Sequence, residues 1–239
     1  SILAVTDFSS KGCHAIARAA LLCAEHRATL KLVYLAHPDE APPPDAAVRL
    51  AQHALQLRQR HHITVQAATR MDLTAADVAR EAADADLVVW GTAPPRGLAA
   101  WFRTHPAVRM LRACQRPVLV VRKAAAQPYQ SLLVAVDFSQ VSQRLVELGS
   151  ALQPSARVEL FHAIDTTNEG KLRYAEVSER AIRAYREECQ RFAQDRMFTL
   201  ADSSDARRNR LSSTIARVHP ARPVVVPQQH TAADLIPVA

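Results

Sequence analysis

"SILAVTDFSS" occupies residues 1–10, and "SLLVAVDFSQ" occupies residues 131–140. Each runs a short apolar segment into Asp-Phe-Ser. Ile2–Thr6 reads as a buried strand, and Asp7–Ser10 offers N-cap residues for a helix. Ile16, Ala19, Ala20 and Cys23 then recur at helical spacing. The second copy continues in the same way, with "SQRLVELGSALQ" as its first helix. A strand end built twice marks an internal repeat.

Working outward, strands and helices alternate. "TLKLVYLAH" at 29–37 is a second strand, and "APPPD" at 41–45 opens a helix near Ala46–His61. "HITVQAAT" at 62–69 is a third strand, "LTAADVAREAAD" a short helix capped by Thr74, and "ADLVVWG" at 85–91 a fourth strand. A loop, a helix near Pro106–Cys114 and the strand "RPVLVVR" at 116–122 complete the unit. Apolar runs such as "LVVW" and "VLVV" suit strands covered on both faces, so the pattern predicts a parallel α/β sheet with right-handed crossovers. "KAAAQPYQ" at 123–130 reads as a linker.

The second half restarts. "RVELFHAID" at 157–165 matches "TLKLVYLAH", and a longer helix carries Ile182, Tyr185, Cys189 and Phe192. "STIARV" at 213–218 reads as the third strand, and "ADLIPVA" at 233–239 echoes "ADLVVWG" as a fourth. The expected domains are 1–123 and 131–239, the second lacking a final loop, helix and strand. Either the protein is longer, or the second copy has decayed; Pro223 and Pro227 spoil a helix there.

The 239 residues carry 30 Lys and Arg against 23 Asp and Glu, a net charge of +7. The basic residues are scattered, "RRNR" at 207–210 reads as a solvated loop, and aromatic residues are few, so nucleic acid is not the expected partner. No run reaches about 18 apolar residues, and no membrane span is expected. Cys13, Cys23, Cys114 and Cys189 lack metal-ligand spacing and read as buried free thiols of a cytoplasmic protein. "RHH" at 60–62 sits at a helix end, where positive charge is favourable.

Strand–Asp-x-Ser–helix, "ADLVVWG", a Gly-containing loop and "RPVLVVR" together resemble the universal stress protein family, and two units in one chain resemble its tandem bacterial members. The resemblance implies two doubly wound, adenine-nucleotide alpha hydrolase-like parallel sheets. It implies that Asp7 and Asp137 contact a nucleoside, and that the main chain at Leu35 and Ala163 meets adenine. Helix capping is the competing role for both aspartates. The family's ATP loop runs Gly, two residues, Gly, nine residues, Gly, then Ser or Thr. Here Gly91 matches, Pro94 replaces the second glycine, and Thr104 and His105 take the last two places. Pro94 and Pro95 remove N–H donors from a loop that retains Gly97.

The resemblance therefore implies a non-catalytic binding or regulatory module of the stress response rather than an enzyme. The alternatives are slow ATP hydrolysis in the second unit, with ATP or another adenine nucleotide as its ligand, and a ligand-free interaction protein. Assembly is expected through the last strands: "VLVV" at 118–121 pairs with its counterpart in the second unit, a strand expected beyond residue 239, a homodimer being the other arrangement.

Overall fold

The computed structural model describes residues 1–36, 41–91, 113–203, 211–218 and 234–236. The chain divides into two compact units, Ser1–Pro128 with Ala233–Ala239, and Tyr129–Ala232.

The first unit runs β1 (Ile2–Thr6), α1 (Ser10–His26), β2 (Leu30–Tyr34), α2 (Ala46–His61), β3 (Val65–Ala67), α3 (Ala75–Glu81), β4 (Leu87–Gly91) and β5 (Val118–Val121). The strand order is β3-β2-β1-β4-β5, with every one of these pairings parallel. All five residues of β1 are buried, as befits a central strand covered on both faces. Leu3, Val5, Val33, Val88, Val118 and Val120 share one core with Val78 and Ala82.

Local signals set the helix ends. Ser9 Oγ accepts the Gly12 N–H at 3.2 Å and starts α1. Thr74 and Asp77 form a reciprocal capping box at α3. Arg27 and His62 close α1 and α2 in the left-handed region, at φ 50° and 53°. The segment read as a linker and the residue before it are tied along α1: Lys11 Nζ donates to the Arg122 carbonyl at 3.1 Å, and Arg18 Nη1 to that of Gln127 at 2.9 Å.

The second unit runs β6 (Ser131–Ala135), α4 (Gln140–Leu152), β7 (Arg157–Asp165), α5 (Thr167–Tyr174), α6 (Glu179–Ser203) and β8 (Leu211–Val218). Its sheet is parallel in the order β6-β7-β8, matching β1-β2-β3. The register matches too: Ile2 lies opposite Leu30, and the corresponding Leu132 lies opposite Val158.

Two expectations need correction. Phe192 is 59% exposed, and the inward stripe of α6 is Ile182, Ala193, Met197 and Leu200. Ten residues turn a helix about 80° short of a whole number of turns, whereas eleven overshoot by only about 20°, so Ala193 lies under Ile182 and Phe192 does not. The second concerns the C-terminal segment. Asp234–Ile236 forms β9, which does not extend the second sheet but pairs antiparallel with β5, placing Leu235 opposite Leu119. An antiparallel strand on a buried apolar edge needs only a short run, whereas a parallel place in the second sheet needs a crossover. Among the described residues the outer edge of β5 meets β9.

Candidate functional site

Both Asp-Phe-Ser turns leave a strand at the carboxyl end of its sheet. In the first, Asp7 is exposed and its Oδ1 accepts the Ser9 N–H at 2.9 Å. The buried Thr6 hydroxyl accepts the Phe8 N–H at 3.0 Å. Phe8 has φ 61°, an outlying conformation for a bulky side chain. Its ring stacks on Tyr34 at 4.7 Å between centroids, faces His53 at 6.0 Å, and has the Arg49 guanidinium 4.5 Å from its centre. Burial, and then the Arg49 charge, push the His53 pKa down.

The second turn repeats the backbone and changes the chemistry. Phe138 has φ 66°, and its ring lies 4.1 Å from that of His162. His162 Nδ1 lies 2.8 Å from the Val136 carbonyl, so that nitrogen carries the proton. Asp137 Oδ1 accepts two hydrogen bonds, from the Ser139 N–H at 2.9 Å and the Ser142 hydroxyl at 2.6 Å. Ser142 Oγ in turn accepts the Asp137 N–H at 2.9 Å. The hydrogen bonds from Ser139 and Ser142 hold the Asp137 pKa down at about 2.

In the first sheet the connections reverse between β1 and β4, and ligands of open α/β sheets sit in the crevice beside such a reversal. Asp7 follows β1 and Gly91 ends β4, which brings them to the same crevice. A Cβ on Gly91 would stand 1.9 Å from the Lys11 carbonyl oxygen, so this glycine lets the first turn of α1 cross the end of β4. Leu35 directly follows β2, and its N–H is bonded to the Thr6 carbonyl at 2.9 Å. Ala163 lies within β7, opposite Ala216 of β8. Gly97, Pro94, Pro95, Thr104, His105 and Trp101 lie outside the described residues, as does most of the expected helix near Pro106–Cys114.

Elsewhere the chemistry is sparse. All four cysteines are free, with Cys23 and Cys114 buried and Cys13 and Cys189 half-buried; burial pushes the Cys23 thiol up to about 12. His61 ends α2, and burial followed by the Arg60 charge lowers its pKa, so it is a poor source of the positive charge expected there. A cavity of about 190 Å³ lies at the opposite end of the sheet from Asp7, lined by Cys23, Arg27, Thr29, His61, His62 and Thr64 among others. Among the described residues no three His, Cys, Asp or Glu side chains group to hold a metal, and no helix is long and apolar enough to cross a membrane.

Sequence reading missed Thr6, Tyr34 and Ser142. Aligning the two turns position by position sets Thr6 against Val136 and Gly12 against Ser142, and that comparison held the signal.

The order β3-β2-β1-β4-β5, with a carboxylate beside the reversal, defines a doubly wound α/β unit, present once in full and once in shorter form. The universal stress protein family model matches residues 1–122 and 128–239, and the chain belongs to that family. A universal stress protein from Archaeoglobus fulgidus has a similar structure, with a TM-score of 0.59 and 12% identity over 91% of this chain and 78% of that one. Another from Pseudomonas aeruginosa gives a TM-score of 0.54 and 19% identity over 90% of this chain and 73% of that one. Likenesses at these identities concern the fold. No curated protein matches the chain.

Proposed function

We propose that this protein is a non-catalytic, cytoplasmic binding module of the stress response, taking a nucleoside-sized ligand at the carboxyl end of its first sheet. The observation that carries this reading is the placement of Asp7: an exposed carboxylate beside the β1–β4 reversal, with one hydrogen bond on Oδ1. A ribose hydroxyl or exocyclic amine donates to such a group. Phosphates contribute little, because Pro94 and Pro95 deprive the adjoining loop of two N–H donors. The rival reading, ATP hydrolysis in the second unit, has less support. Among the described residues β6 pairs only with β7, and none of them forms a crevice there like the one β4 makes beside β1.

Isothermal titration of the full chain with adenosine, AMP and ATP tests the proposal. Adenosine and ATP should bind within about tenfold of each other, a difference under about 1.4 kcal/mol. Asp7→Ala should abolish both. Binding of ATP alone, or binding indifferent to Asp7→Ala, would refute it.

A further inference from the structure

We infer that Ser142 is a positioning residue that ties the Asp137 carboxylate into the entry of α4, leaving Asp7, which has no such partner among the described residues, as the carboxylate that meets a ligand. The ligand half of this inference rests on the proposed function; the positioning half does not.

The matching registers of the two sheets justify a residue-by-residue comparison. Beyond the serine they share, Ser9 in one and Ser139 in the other, each turn has a hydroxyl, and the two come from opposite sides. In the first, Thr6 supplies it from the strand and bonds the Phe8 N–H. In the second, Ser142 supplies it from the helix, accepts the Asp137 N–H and donates to Oδ1. Ser142 is 2% exposed, so water competes poorly for these bonds. Rotating the Asp137 side chain breaks two hydrogen bonds, and an oxygen already sharing its charge with two donors is a weaker acceptor for a third. Asp7 Oδ1 holds one.

The arrangements are not interchangeable by a single change. A Cβ on Gly12 would lie 2.6 Å from Thr6 Oγ1 and 2.7 Å from Asp7 Oδ1. A side chain at position 12 therefore has no room beside Thr6 and Asp7 as they stand.

The test uses the full chain and two readouts. The first is carbon NMR titration of the Asp137 carboxyl, which needs no ligand. Ser142→Ala should raise its midpoint by about one unit, the share of one hydroxyl donor, and Ser142→Thr should restore it. The second is adenosine binding. Asp7→Asn should weaken binding about tenfold or more, the loss of one charged hydrogen bond. Asp137→Asn should leave it within about twofold. An unmoved Asp137 midpoint in Ser142→Ala overturns the positioning role. Binding lost in Asp137→Asn and kept in Asp7→Asn overturns the assignment of the ligand to Asp7. If adenosine does not bind the unaltered protein, the proposed function and this assignment fall together, and the titration still decides the role of Ser142.

Discussion

Gly91→Ala adds one methyl group and should be among the most damaging single changes in the chain. The new Cβ would sit 1.9 Å from the Lys11 carbonyl oxygen, 2.3 Å from its carbon and 2.9 Å from the Gly12 nitrogen. All three are backbone atoms of the first turn of α1, so no side chain can swing aside. Relief requires moving α1 about 1 Å off β4. Ala15, Ile16, Ala19, Ala20 and Cys23 of that helix are essentially fully buried, so the shift opens gaps along a packed face. Overpacking costs about 1–3 kcal/mol in general, and backbone contacts this short place the cost near 3 kcal/mol or above. At about 3–4 °C per kcal/mol, the first unit should melt roughly 10 °C lower.

Gly170→Ala is the control. Gly170 lies exposed inside α5, and its Cβ would meet nothing within 4 Å. Replacing glycine inside a helix by alanine stabilises by about 0.5–1 kcal/mol, so the second unit should melt about 2–3 °C higher. Thermal unfolding followed by circular dichroism reads both. A Gly91→Ala protein that melts within about 2 °C of the unaltered one would refute the close-approach role of Gly91 and reopen it as a residue kept for a ligand.

Other consequences are open to direct measurement. Thr74→Ala removes the capping box of α3, should cost about 1 kcal/mol, and should speed hydrogen exchange across Ala75–Glu81. Asp137 titrates near 2 in the folded chain against an ordinary 3.8, so its contribution to stability is present above about pH 4 and is lost as pH falls toward 2. Because the group is exposed the effect is small, and acid unfolding of Ser142→Ala should be correspondingly shallower in that window. Leu235→Pro deletes a main-chain donor from β9 and should uncap β5. Light scattering should then register larger assemblies; an unchanged particle size would show that β9 is dispensable for guarding that edge.

Much of the architecture was legible because its signals are local. Thr74 announced its helix by its chemistry, "APPPD" announced α2, and apolar runs announced strands buried on both faces. The position of a strand within a sheet is a different kind of information. "ADLIPVA" carries the same strand signal as "ADLVVWG", yet one segment became β9, antiparallel on β5, and the other became β4, parallel beside β1. Strand propensity says that a segment seeks an edge, and the choice of edge depends on what remains uncovered elsewhere. The candidate site divides in the same way. Asp7 and Asp137 were visible as a repeated motif, but Ser142 reaches Asp137 five residues away, and Tyr34 reaches Phe8 only through the β1–β2 pairing.

What the two copies hold in common is the braced backbone of the turn. Both place a phenylalanine at φ above 60°, a conformation that costs a side chain with a Cβ about 1–2 kcal/mol. Both recover a comparable amount nearby. The ring lies against the aromatic side chain at the same register position of the neighbouring strand, Tyr34 in one unit and His162 in the other, which is worth about 0.5–1.5 kcal/mol beyond burial. The aspartate closes the turn with a hydrogen bond from the serine N–H two residues on, contributing about another 1 kcal/mol. With strain and bracing in balance, the turn holds its shape without help from the fifth residue after the aspartate. At that position the two units differ, Gly12 packing closely against Thr6 and Asp7 and Ser142 bonding Asp137. Asp-Phe-Ser is thus the part of the duplication that folding requires, and the hydroxyl beside it is the part where the two units diverged.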